Sequence, residues 1–70
     1  MQVSGWIETE NGEEMFDYTA TNIRGIAKAL LAEFGDDAGA TDMEATDQDG
    51  EDITVRLYKS LDVLTGESVA

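Results

Sequence analysis

Val3, Gly5 and Ile7 recur at every second residue of 3–10, as Phe16, Tyr18 and Ala20 do in 13–20, with Asn11-Gly12 between the two segments. Alternation at period two is the mark of a half-buried strand, and Asn-Gly suits a two-residue type I′ turn because both residues tolerate positive φ. The pattern predicts a hairpin over 2–20. That turn sets Glu10 opposite Glu13, Ile7 opposite Phe16, Gly5 opposite Tyr18 and Val3 opposite Ala20, with Tyr18 covering the bare backbone at Gly5. Val3, Gly5, Ile7, Phe16, Tyr18 and Ala20 then share the inner face.

The spacing changes after Ala20. Ile23, Ile26, Ala27, Leu30, Leu31 and Phe34 follow i, i+3, i+4, i+7, i+8 and i+11, which predicts a helix over 21–35 with Thr21 as N-cap and Gly35 just past its end. A second turn signal, Asp49-Gly50, lies between 40–47 and 51–58. A three-residue loop, Gln48-Asp49-Gly50 with Gly50 left-handed, keeps carboxylates off the aliphatic side, so a second hairpin is expected over 40–60. It pairs Met43 with Val55, Ala45 with Ile53 and Thr41 with Leu57 inside, and Asp42 with Arg56 and Glu44 with Thr54 outside. Residues 61–70 read as a C-terminal tail, with a short edge strand or turn at 61–64 and fraying from Thr65. The whole is one α+β domain of order ββαββ, an antiparallel sheet of two hairpins with one helix on one face.

One helix leaves the other sheet face without a cover. Strand alternation puts Trp6, Glu8, Glu10, Glu13, Met15, Asp17, Asp42, Glu44 and Tyr58 on it. Carboxylates are ordinary on a solvated face. Large apolar groups are not, so Trp6, Met15 and Tyr58 mark a contact surface. For Trp6 there are two readings: it lines that contact, or it folds beneath the C-terminal segment and closes a core too small to spare it.

Charge narrows the function. The chain of 70 residues carries 16 Asp plus Glu against 4 Lys plus Arg, a net charge of -12. Such a surface repels a phosphate backbone, which argues against direct nucleic-acid binding. There is no cysteine and no histidine, which removes disulfides, thiolate metal sites, cysteine nucleophiles and the usual general base. No apolar run approaches the ~20 residues of a membrane span, and Met1-Gln2-Val3-Ser4 lacks the basic start of a secretion signal, so a cytoplasmic setting is expected.

The segment Asp47-Gln48-Asp49-Gly50-Glu51-Asp52 has the alternating carboxylates of a calcium loop. It fails the EF-hand test, because counting from Asp47 its glycine is fourth and its twelfth residue is Tyr58. No metal and no cofactor is expected. Carboxylate pairs can be drawn from sixteen candidates and therefore identify no catalytic site. Without a phosphate-cradling loop, and with too little mass for a deep pocket, an enzyme is not expected either.

The acid has a use as a row. Residues i and i+2 of a strand lie about 6.5–7 Å apart on one face, so the carboxylates form lines on a stiff sheet. Lines of negative charge can enter a groove lined by Lys and Arg, as the phosphates of DNA do. Glu8, Glu10, Glu13, Glu14, Asp42, Glu44, Asp47 and Asp49 are the candidate partner-binding acids, with Trp6, Met15 and Tyr58 as desolvated anchors. In its size, its lack of cysteine and its acid concentrated in Glu8–Glu14 and Asp36–Asp52, the chain resembles the small phage-encoded inhibitors of bacterial defence, of the anti-CRISPR and DNA-mimic kind. The resemblance implies a non-enzymatic inhibitor in the host cytoplasm that blocks the nucleic-acid site of a Cas effector or similar nuclease. It carries no signature motif. Two other readings compete: acidic solvation of a protein from salt-loving cells, and a homo-oligomer, for example a homodimer formed through the outer face or a free strand edge.

Overall fold

The computed structural model describes residues 1–69, and the side chains of residues 1–66. The chain is α+β. Strands β1 (Gln2–Thr9) and β2 (Gly12–Thr19) form the first hairpin, helix α1 (Ile23–Phe34) follows, and a short 3-10 turn (Gly35–Asp37) leads to strand β3 (Met43–Asp47) and helix α2 (Thr54–Val69). The sheet is antiparallel with order β2-β1-β3, so β1 is central. Both helices pack on one face of it, against each other and against one apolar cluster.

The first hairpin forms as its alternation predicts, with its register moved by two residues. Glu8, not Glu10, stands opposite Glu13, and Ile7 faces Glu14, Gly5 faces Phe16 and Val3 faces Tyr18. The cause is the turn. A type I′ turn needs positive φ at Asn11 as well as at Gly12, and among the described residues only glycines take positive φ. Glu10 and Asn11 therefore form the tip, and Gly12, at φ 104°, follows in the left-handed region. The Thr9 hydroxyl accepts the Asn11 N–H at 3.1 Å and lies 3.0 Å from the Gly12 carbonyl oxygen. A shift of two keeps every side chain on its expected face.

Gly5 is needed for space, not for coverage by Tyr18. A β-carbon there would lie 1.8 Å from the Glu44 carbonyl oxygen, where β3 crosses close beside β1. Any side chain at position 5 would force the two strands apart.

Helix α1 matches the spacing that predicts it, but its cap is Asn22 rather than Thr21. The Asn22 side chain accepts the Gly25 N–H at 3.0 Å, one of the orphan donors of the first turn. Ile26, Ala27 and Leu30 are buried, while Ile23, Leu31 and Phe34 pack at the margin of the core.

The second hairpin is the main correction. Its loop forms in the expected register: Gly50 takes φ 82°, the Asp47 N–H donates to the Glu51 carbonyl at 2.9 Å, and Thr46 bridges to Asp52. The returning strand then stops after one residue pair. Asp52 accepts both the Thr54 N–H (2.9 Å) and the Thr54 hydroxyl (2.6 Å), and the Ile53 carbonyl accepts the Leu57 N–H, so the chain turns into α2. Hydrogen bonding by Thr54 holds the Asp52 carboxyl below its usual pKa. Ile53, Leu57, Leu61 and Leu64 stand at i, i+4, i+8 and i+11, a helical stripe, and all four are buried. From Thr54 onward the expected strand over 51–58 and tail over 61–70 are thus one helix through Val69; the end of that tail, Ala70, lies outside the described residues. Val55, expected in the core, is 67% exposed, and neither the Thr41–Leu57 nor the Asp42–Arg56 strand pair forms.

The two sheet edges differ. At β3, Ala45 is paired on its outer side, its carbonyl accepting the Ile53 N–H at 3.0 Å and its N–H donating to the Thr54 hydroxyl at 3.0 Å. The start of α2 seals that edge. The β2 edge has no strand beside it among the described residues.

Tyr18 closes the β2 end of the core. Its ring stacks on Phe16 at 5.5 Å, and its hydroxyl donates to the Glu33 carboxylate of α1. Burial, then the hydrogen bond to Glu33 and its charge, raise the phenol pKa above its usual value near 10. Folding therefore favours the protonated phenol. That contribution is complete below about pH 10 and declines as pH rises from there toward the folded-state pKa.

Two outcomes are expected. Leu61→Ala should cost ~2–5 kcal/mol in urea melts, whereas Val55→Ala should change stability little; the reverse ranking would restore the second hairpin. Tyr18→Phe should flatten the loss of stability above about pH 10, and an unchanged alkaline limb would deny the Tyr18–Glu33 link.

Candidate functional site

The helices cover one side of the sheet, and among the described residues the other side is open. Parity places Gln2, Ser4, Trp6 and Glu8 of β1 on the open face, with Glu13, Met15, Asp17 and Thr19 of β2 and Glu44 and Thr46 of β3. Asp42 joins them one residue before β3, where the Glu8 N–H donates to its carbonyl at 2.9 Å.

The register turns this list into rows across the strands. The row nearest the hairpin tip is Glu13, Glu8 and Asp42, three carboxylates side by side. The next is Met15, Trp6 and Glu44. The third is Asp17, Ser4 and Thr46, in which the Gln2 side-chain amide reaches Asp17 at 3.3 Å. Directly opposed like charges destabilise a sheet, so the first row works against folding. The three strands contain no Lys or Arg to relieve it.

Trp6 is half-buried and lies outside the apolar cluster beneath the sheet. α2 packs on the opposite face, so the C-terminal segment does not fold over Trp6. Its neighbour Met15 is 78% exposed. A flat apolar patch therefore sits beside the carboxylate row, on rigid strands.

The other expected site residues disperse. Glu10 is at the hairpin tip. Glu14 stands opposite Ile7 on the helix-facing side, exposed at the sheet's end, with its carboxylate 3.2 Å from the Thr9 hydroxyl. Asp47 is occupied within its own loop, its carboxylate accepting the N–H groups of Asp49 and Glu51 at 2.9 and 3.0 Å, and Asp49 lies at that loop's exposed tip. Tyr58 is not on the sheet. It belongs to α2, packs against the core and donates its hydroxyl to the Thr41 carbonyl at 2.6 Å. Arg56 does not flank Asp42; it shares a shallow hollow at the β3 rim with Glu44, Asp52 and Val55.

The strand alternation that placed Trp6 and Met15 also placed Asp17 on this face. The stripe Ile53, Leu57, Leu61 and Leu64 was the available signal that Tyr58 lies elsewhere.

Among the described residues no three His, Cys, Asp or Glu side chains are grouped to hold a metal ion, and no helix is long and apolar enough to cross a membrane. No protein-family model, curated protein or solved structure matches the chain.

The crowding of the first row is measurable. Glu8→Gln should raise the melting temperature of the free protein by up to ~5 °C at low ionic strength, and by less in molar salt. A lowered melting temperature at low ionic strength would mean the three carboxylates do not repel one another there.

Proposed function

We propose that this chain is a non-enzymatic binding protein whose open sheet face occupies the basic nucleic-acid-binding site of a partner protein. The observation that carries the reading is the pair of adjacent rows, Glu13–Glu8–Asp42 and Met15–Trp6–Glu44, on a face that no element covers among the described residues. Neighbouring strands are ~4.8 Å apart, so the first row presents three negative charges in a line, as a DNA strand presents its phosphates. Cationic side chains of a partner relieve the repulsion, and Trp6 and Met15 supply the apolar centre that charge alone lacks. The partner proposed is a Cas effector or similar nuclease of bacterial defence, in keeping with the phage-inhibitor resemblance. In that setting the protein works in the host cytoplasm.

Solvation in a salt-rich cell is the second reading. The dispersed acids favour it: Asp36, Asp49, Glu51 and Asp62 are all exposed and lie away from the open face. A domain adapted to salt unfolds as salt is withdrawn; a groove-filling inhibitor stays folded at ordinary ionic strength.

Charge reversal separates the two. In a panel of purified RNA-guided nucleases, the protein should reduce DNA binding by at least one member. Reversing Glu8, Glu13, Asp42 and Glu44 to lysine should weaken that inhibition about tenfold or more, and reversing Asp36, Asp49, Glu51 and Asp62 should change it about twofold or less. Equal losses from both sets would sink the face as the contact. A panel left wholly uninhibited would sink the nuclease assignment.

A further inference from the structure

Resting on the reading of the open face as a docking surface, we propose that Trp6, with Glu44 and Glu8, forms a subsite selective for an arginine side chain of the partner. Trp6 sits at the middle of its row, opposed by Met15 on one strand and Glu44 on the other, and Glu8 follows two residues along the same strand and face. The β-carbons of Glu44 and Glu8 thus stand about 5 Å across and about 7 Å along from that of Trp6, which puts both carboxylates within side-chain reach of the indole.

This arrangement distinguishes the two basic side chains. A guanidinium is planar: it can lie on the indole while its edge donates N–H bonds to a carboxylate beside the ring. An ammonium group is compact and strongly hydrated, and it gains less from an aromatic face while bonded to a carboxylate. The exposed thioether of Met15 adds an adaptable apolar wall for the arginine stem.

The chain leaves the subsite to a partner. Its four basic residues lie on the helices, Arg24 and Lys28 in α1 and Arg56 and Lys59 in α2. Arg56 comes to the β3 rim beside Glu44, in a hollow that Trp6 does not line.

The test uses octa-arginine and octa-lysine, equal in length and charge, with the intact protein at low ionic strength. The chain has a single tryptophan, so its fluorescence reports on Trp6 alone. Octa-arginine should bind about 2- to 5-fold tighter for each arginine engaged on the indole, and should shift or quench the emission saturably where octa-lysine leaves it nearly unchanged. Trp6→Leu, checked for its fold by circular dichroism, should abolish the arginine preference, so that the two peptides bind the variant equally. Equal affinities and equal fluorescence responses for the two peptides would overturn the subsite while leaving the acidic docking face standing. A preference that survives Trp6→Leu would overturn it too. If neither peptide binds, the docking face itself fails.

Discussion

The carbonyl oxygen of Glu44 occupies the space a side chain would need at Gly5, and the rest of the architecture is arranged around that contact. It lets β3 lie against the central strand with Ala45 opposite Gly5 and Met43 opposite Ile7, two buried residues that carry the core onto the third strand. Once β3 is docked, the Asp47–Asp52 loop has a fixed origin, and Ile53 is delivered to the point where α2 begins. The same contact sets Glu44 beside Trp6 on the outer side. Core and open face are thus two sides of one strand pairing.

A molecule 18 Å across its thinnest dimension has room for one sheet and one layer of helices. Among the described residues the buried cluster lies on the inner side, and none of its members is polar. The outer side is relieved of any structural duty. It can therefore carry three adjacent carboxylates and an exposed methionine, features that a second packing layer would exclude. Stability resides beneath the sheet, and the chemistry available for recognition lies above it.

The sequence makes β1, β2 and α1 legible because each contains its own periodicity, with caps and turns at both ends. Trp6 and Met15 could be placed on the open face for the same reason: alternation survives the two-residue change of register. Residues 51–64 are harder. Asp49-Gly50 is a sound hairpin signal and does make the expected loop, and Ile53, Val55 and Leu57 alternate as a strand would. What decides against a strand is the helical stripe running on to Leu64, together with an aspartate two residues before a threonine at the helix start. Two periods overlap at Ile53 and Leu57, and the longer one wins because it buries Leu61 and Leu64, which a strand ending at Tyr58 would strand outside the core. A strand over 51–58 would also put Tyr58 and Arg56 on the sheet, whereas both belong to α2.

The unequal edges bear on how the protein behaves toward copies of itself. β3 is sealed by the start of α2, while β2, eight residues long, has no strand on its outer side among the described residues. Such an edge is a template for fibril growth. Here it bears Glu13, Glu14 and Asp17 and no cation, so a second β2 laid antiparallel against it would bring carboxylate toward carboxylate. The acid on this edge thus opposes self-association whatever the open face binds. A variant that neutralised β2 to improve the fold would remove the charge that keeps the open edge from recruiting its own kind.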